Sequence, residues 1–147
     1  MGIDVGKVRV GVARSDPDGL IATPVATVAR GAGDVAEILR IAAELEAFEF
    51  VVGLPLALSG RHTASTGDAV AFAEALAGAS TTPVRMVDER LSTVAAGRNL
   101  RASGRNARRS RAVIDQAAAV IILQHALDFE RAAGTTPGAP VVPQEGL

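Results

Sequence analysis

Three acidic positions stand where the surrounding sequence gives an acid no ordinary place. Asp4 lies in the apolar opening run and is flanked by Gly2 and Gly6. Burying an unpartnered carboxylate is costly, so Asp4 implies either a local Asx-turn over Gly6-Lys7 or a ligand. Asp88 and Glu89 close the apolar run before Arg90. Neighbouring strand residues point to opposite faces, so at most one of the two meets a given site unless the strand has already turned. The plain alternative there is a polar strand end paired to Arg90. Asp115 sits in AVIDQAAAVIIL, apolar on nearly every side. It is either a helix N-cap or a buried acid; Ala112, Val113 and Ile114 already extend the apolar stripe and favour burial. Carboxylates brought to one point repel and favour a divalent cation. Hard oxygen donors suit Mg²⁺ or Mn²⁺, and a pair of such ions activates water against a phosphodiester. His62 and His125 lie outside these segments, and two isolated histidines do not make a zinc site.

A second feature is the distribution of charge. From Arg85 to Arg111 eight arginines (85, 90, 98, 101, 105, 108, 109 and 111) face two acids, while the rest of the chain carries seven basic groups against fourteen acidic ones. An arginine cluster on an otherwise acidic chain is a candidate phosphate-binding surface. The fourteen arginines to one lysine also reflect a compositional bias. All four aromatic residues are phenylalanines, so no tyrosine or tryptophan offers a base-stacking platform. Nucleic-acid binding by this chain is expected to rest on backbone and shape and to weaken steeply with salt.

The elements that must position these groups follow from periodicity. Residues 1–5 and the alternating Val8, Val10 and Val12 read as two strands joined at Gly6-Lys7, with a third strand within Ile21 to Val28 after the SDPDG turn. Asp34 to Glu46 reads as an amphipathic helix, Phe50 to Gly53 as a buried strand, Thr66 to Ala77 as a helix and Val84 to Asp88 as a strand. Ser92 or Thr93 can cap a helix through Leu100. A loop from Ser103 to Arg111 then leads to a last helix from Arg111 to Arg131. The expected architecture is α/β: a mixed five-stranded sheet, an antiparallel meander of strands one to three with strands four and five parallel to strand one, flanked by helices. In such sheets sites form beyond the carboxyl ends of the central strands.

The chain has 147 residues, 48% apolar and 21% charged, which fits one domain with a real core. Residues 1–131 are expected to form that domain, and 132–147, rich in proline and glycine, a disordered tail. The absence of cysteine excludes a disulfide framework, a zinc-cysteine site and a cysteine nucleophile. No apolar run approaches the ~20 residues of a membrane span, and the N-terminus does not read as a secretory signal, so a cytoplasmic protein without membrane partners is expected.

GIDVGKVRVGVA, VVGLPLALSG, VDERLST and VIDQAAAVIILQ occur in an order and at spacings that resemble the YqgF/RuvX family, over about residues 2 to 128. The resemblance implies a ribonuclease-H-like fold related to Holliday-junction resolvases. It implies Asp4, Glu89 and Asp115 as catalytic, metal-holding acids, Arg9 and Arg90 near the scissile phosphate, and Gly53, Leu54 and Pro55 shaping the loop beside it. Beyond the resemblance, the arginine-rich segment, with Arg98, Arg105, Arg108 and Arg109, is expected to reach further phosphates as bidentate forks. Two departures stand out. The chain begins three residues before Asp4, where the family usually has a few more, which leaves a shortened first strand or a misassigned start. The family's DERLTT reads DERLST, which keeps a hydroxyl at Ser92.

The resemblance implies a Mg²⁺- or Mn²⁺-dependent nuclease maturing the 5′ end of precursor 16S ribosomal RNA, with the assembling small ribosomal subunit as a partner. One alternative is a Holliday junction resolvase, which cuts two strands symmetrically and so calls for a homodimer. Another is a non-catalytic RNA-binding ribosome-assembly or transcription factor, although intact acids argue against it. An actin-like or sugar-kinase ATPase, whose first hairpin also reads Asp-x-Gly, needs two domains around its nucleotide.

Overall fold

The computed structural model describes residues 1–91 and 107–142, with backbone alone for 107–114. The chain opens with β1 (Gly2–Val5), β2 (Arg9–Ser15) and β3 (Ala22–Ala29), an antiparallel meander. There follow α1 (Asp34–Glu44), β4 (Phe50–Leu54), α2 (Ala64–Ala79), β5 (Val84–Asp88), a single 3₁₀ turn (Glu89–Leu91), α3 (Ala107–Ala133) and β6 (Ala139–Pro140). The sheet order is β3-β2-β1-β4-β5-β6, with β4 parallel to both β1 and β5.

Alternation along the strands divides the core between two faces. Ile3, Val10, Val12, Phe50 and Val52 point to α1 and α2, where Ile38 and Leu76 meet them. Val51, Val87 and Ala13 point the other way, under Ala119, Ile122 and Leu123 of α3. The central strands are apolar on both faces because helices cover both, the pattern of a sheet with parallel crossovers. Among the described residues no helix is long and apolar enough to cross a membrane.

The structure departs from the sequence expectation in three places. The sheet has six strands, not five, because part of the tail expected to be disordered returns to it: β6 pairs antiparallel with β5, and Val141 N–H donates to the Val84 carbonyl at 2.8 Å. An open sheet edge offers unpaired backbone groups, and proline is tolerated on an edge strand. Helix α2 starts at Ala64, ahead of Thr66, because Thr63 caps it: Thr66 N–H donates to Thr63 Oγ1, and Thr63 N–H donates back to Thr66 Oγ1. Helix α3 starts at Ala107, so Arg108 and Arg109 lie in its first turns instead of in a loop. Alanine and arginine are both strong helix formers, and charge alone does not keep them out of a helix. The expected helix after Ser92, with Arg98, and Arg105 in the segment that follows lie outside the described residues.

Candidate active site

On β1 the side chain of Ile3 enters the α1–α2 core, so the alternate positions Gly2 and Asp4 face α3. Asp4 is buried, with 2% of its surface exposed. Its partner on β2 is Gly11. On the other side Ile3 pairs in parallel with Val52, which brings Gly53 beside Asp4. Asp4 therefore has a glycine on each flank, and each glycine leaves room for another acid. A Cβ on Gly11 would meet the Asp115 carbonyl oxygen at 2.0 Å, and one on Gly53 would come within 3.0 and 3.1 Å of Glu89 Cγ and Cδ. The turn after Asp4 closes through the backbone, Gly6 N–H donating to the Arg9 carbonyl at 2.8 Å.

Of the two acids at the end of β5, the structure selects Glu89 for this face. Val84 and Met86 enter the α1–α2 core and Val87 the α3 core, and Glu89, two residues past Val87, is 4% exposed. Asp88 points away and pairs with Arg90: Nη2 and Nε lie 2.6 and 3.0 Å from Oδ2, and the Arg90 N–H donates to Oδ1 at 2.9 Å. The Arg90 guanidinium holds the Asp88 carboxyl below the usual carboxylate range. Arg90 Nη1 also donates to the Leu58 carbonyl at 3.3 Å. The expected pairing of a strand-end acid with Arg90 is thus met by Asp88.

Asp115 is 4% exposed and lies well inside α3, which rules out the helix-cap alternative. It heads the stripe that continues through Ala119, Ile122 and Ala126, at helical spacing. Two glutamines fix how α3 sits on the sheet. Gln116 Nε2 donates to Thr27 Oγ1 at 2.9 Å, and Thr27 is the β3 partner of Gly11. Gln124 accepts from Ala22 N–H and donates to the Leu20 carbonyl, both at 2.9 Å. These contacts set the rotation that turns Asp115 toward Gly11.

Asp4 and Asp115 line one cleft of about 290 Å³, shared with Lys7, Pro55, Thr63 and Asp68. A broader concavity by Met1, Arg14, Phe48 and Leu127 contains none of the three acids. Sequence reasoning missed Lys7, Asp68 and the residue that ties them together, Arg30. Arg30 Nη1 donates to the Gly6 carbonyl at 2.7 Å, and its fork spans the Asp68 carboxylate at 2.8 and 2.9 Å. The guanidinium also lies over the Phe72 ring, 5.3 Å from the centroid. Arg30 holds Asp68 below the usual carboxylate range and clasps the β1–β2 turn to α2. An arginine that ties a turn to a carboxylate of the cleft leaves no mark in local periodicity.

The remaining expected residues are placed as follows. Arg9 begins β2, half-buried, and alternation puts it on the same face as Gly11. Gly53 and Leu54 end β4, and the Pro55 carbonyl accepts from Thr66 Oγ1. Arg108 lies two helical turns ahead of Asp115 on α3, with Arg109 beside it. Among the described residues no three carboxylate or imidazole side chains are gathered into a ready metal cluster. Buried carboxylates repel one another at close range, which a divalent cation between them would offset. Their chemistry nevertheless suits a hard divalent ion: three buried oxygen-donor side chains on one sheet face, with glycines between them.

Comparison with known proteins places this geometry. Residues 1–129 match the family described as RuvX, Holliday junction resolvase. A protein of Clavibacter michiganensis subsp. michiganensis named "Putative pre-16S rRNA nuclease" is 65% identical over 144 residues, covering 96% of this chain and 89% of the relative. One of Leifsonia xyli subsp. xyli with the same name is 62% identical, covering 99% of this chain and 96% of the relative. Among solved structures, T. thermophilus RuvC in complex with Holliday junction substrate superposes with a TM-score of 0.58 at 17% identity, over 93% of this chain and 96% of that one. That likeness gives the fold, ribonuclease-H-like as expected.

Proposed function

The chain belongs to the RuvX family, and from that premise we propose that it is a divalent-metal-dependent nuclease that processes precursor 16S ribosomal RNA. The observation that carries the reading is the placement of Asp4, Glu89 and Asp115: buried, on one face of the sheet, with Gly11 and Gly53 opening the space between them. Buried acids converging from separate elements on one sheet face are candidates for a functional site. Asp4, Glu89 and Asp115 would hold Mg²⁺ or Mn²⁺. When bound, such an ion supplies an activated water and charge stabilisation at the leaving oxygen of a phosphodiester.

The chain's own residues supply position. β1, the end of β5 and α3 are separate rigid elements, so each carboxylate is fixed by a different part of the core. Arg9, on the shared face, and Arg98, Arg105, Arg108 and Arg109, in the arginine-rich segment, bind phosphates of the substrate. Lys7 adds a cation at the mouth of the cleft. With phenylalanine as the only aromatic type, selection rests on the shape of structured RNA, in keeping with a partner such as the assembling small ribosomal subunit.

The family description supports a second reading, resolution of four-way DNA junctions by the same site, which requires a two-fold dimer. One assay separates the two. The protein is incubated with Mn²⁺ and either 5′-extended 16S precursor RNA or a four-way DNA junction, with Asp4→Asn as the control for contaminating nuclease. Cleavage of the RNA alone, lost in the variant, is the expected result. Paired symmetric cuts in the junction assign it as a resolvase, and binding without cleavage of either substrate assigns a non-catalytic assembly factor.

A further inference from the structure

We propose that Arg90 is a positioning residue: with Asp88 it forms a clasp behind Glu89 that aims this carboxylate at the α3 face, and it is not a ligand of the substrate phosphate. The residues before and after Glu89 hold each other. Arg90 Nε and Nη2 lie 3.0 and 2.6 Å from Asp88 Oδ2, and the Arg90 N–H reaches Asp88 Oδ1 at 2.9 Å. This closes the chain into the 3₁₀ turn Glu89–Leu91 on the face away from α3. With both neighbours tied on one side, the Glu89 side chain is left on the other, against Gly53, where it is buried.

The rest of the guanidinium is committed as well. Nη1 donates to the Leu58 carbonyl at 3.3 Å, and an added Cβ on Gly60 would come within 3.2 Å of the same atom. Arg90 thereby ties the end of β5 to the loop between β4 and α2, whose Pro55 and Ala57 line the Asp4 cleft. A phosphate would have to displace a carboxylate held side-on by the arginine fork. The planar fork, not the charge alone, makes the clasp, so lysine does not replace it.

The inference rests on reading Glu89 as part of the site, and the test keeps the two apart. Mn²⁺ affinity is measured by electron paramagnetic resonance for the wild type, Asp88→Asn, Arg90→Gln and Arg90→Lys, with circular dichroism confirming the fold of each. Binding of 5′-extended 16S precursor RNA is measured in parallel across a salt series. The clasp predicts that all three variants lose Mn²⁺ affinity by about 10- to 100-fold, as loss of outer-sphere support does, and that the salt slope of RNA binding stays unchanged. A phosphate ligand predicts the reverse: Arg90→Gln lowers the slope by about one, Arg90→Lys keeps it, and Asp88→Asn leaves Mn²⁺ affinity intact. That pattern overturns the proposal. If the wild type itself binds no Mn²⁺, the nuclease reading fails, and the salt slope alone decides the role of Arg90: unchanged supports the clasp, a fall of about one overturns it.

Discussion

Gly11 has no side chain because the backbone of Asp115 occupies the place where one would stand: an ideal Cβ lies 2.0 Å from the Asp115 carbonyl oxygen and 3.1 Å from the Gln116 nitrogen. Helix α3 lies directly on β2 at this point, and the depth of Asp115 is set by the smallest residue beneath it.

Gly11→Ala therefore cannot be absorbed by a side-chain rotation, since the atoms it meets are backbone. Overpacking of this kind costs roughly 1–3 kcal/mol or more. Chemical denaturation of the variant is expected to show at least that loss. It is also expected to lose the Gln116–Thr27 bond, visible as a shift of the Gln116 side-chain amide resonances.

Asp4→Asn removes one of three acids buried on one face, and amide and carboxylate have nearly the same shape. The variant is expected to lose cleavage and to lose the stabilisation that divalent metal gives the wild type. Thermal scans with and without Mn²⁺ check this: metal is expected to raise the melting temperature of the wild type and to leave that of the variant almost unmoved.

What the sequence makes legible here is the strand and helix that carry each acid, because burial patterns are local. Asp4 is visible from its apolar flanks and Asp115 from the apolar stripe around it, whereas alternation leaves Asp88 and Glu89 open and only the resemblance points to Glu89. The partners are not visible. Arg30 reaches residues 24 and 38 positions away, and Gln124 bonds a backbone group 102 positions away. Those distances are fixed only when the sheet closes. The edge strand β6 was hidden for a different reason: proline and glycine content describes local freedom, whereas β5 had backbone groups to pair.

The Arg30–Asp68 pair predicts an acid-side effect. Hydrogen bonding from Arg30, with a smaller contribution from Lys7, holds the Asp68 pKa below its ordinary value of 3.8. A depressed carboxylate contributes stability above that value and loses it as pH falls through the folded pKa. The melting-temperature difference between wild type and Asp68→Asn is expected to be constant from about pH 7 to 5 and to shrink below about pH 4. The effect is small, because the Asp68 side chain is 39% exposed.

RNA affinity is expected to fall steeply as salt rises, since phosphate contacts release counterions. Replacing both Arg108 and Arg109 by glutamine is expected to lower the slope of log affinity against log salt by about two, one for each contact. Filter binding between low and physiological salt measures it, and an unchanged slope would remove both arginines from the interface.

Helix α3 follows β1 to β5 in the chain and rests on the strands made first, with Gln124 bonded to Ala22 and Gln116 to Thr27. Synthesis runs from the N-terminus, so β1 to β5, carrying Asp4 and leading to Glu89, are made before Asp115. A nascent chain thus displays two of the three acids and an uncovered Gly11. The third joins them only once α3 has been made and laid on the sheet, so the carboxylate set is completed late in folding.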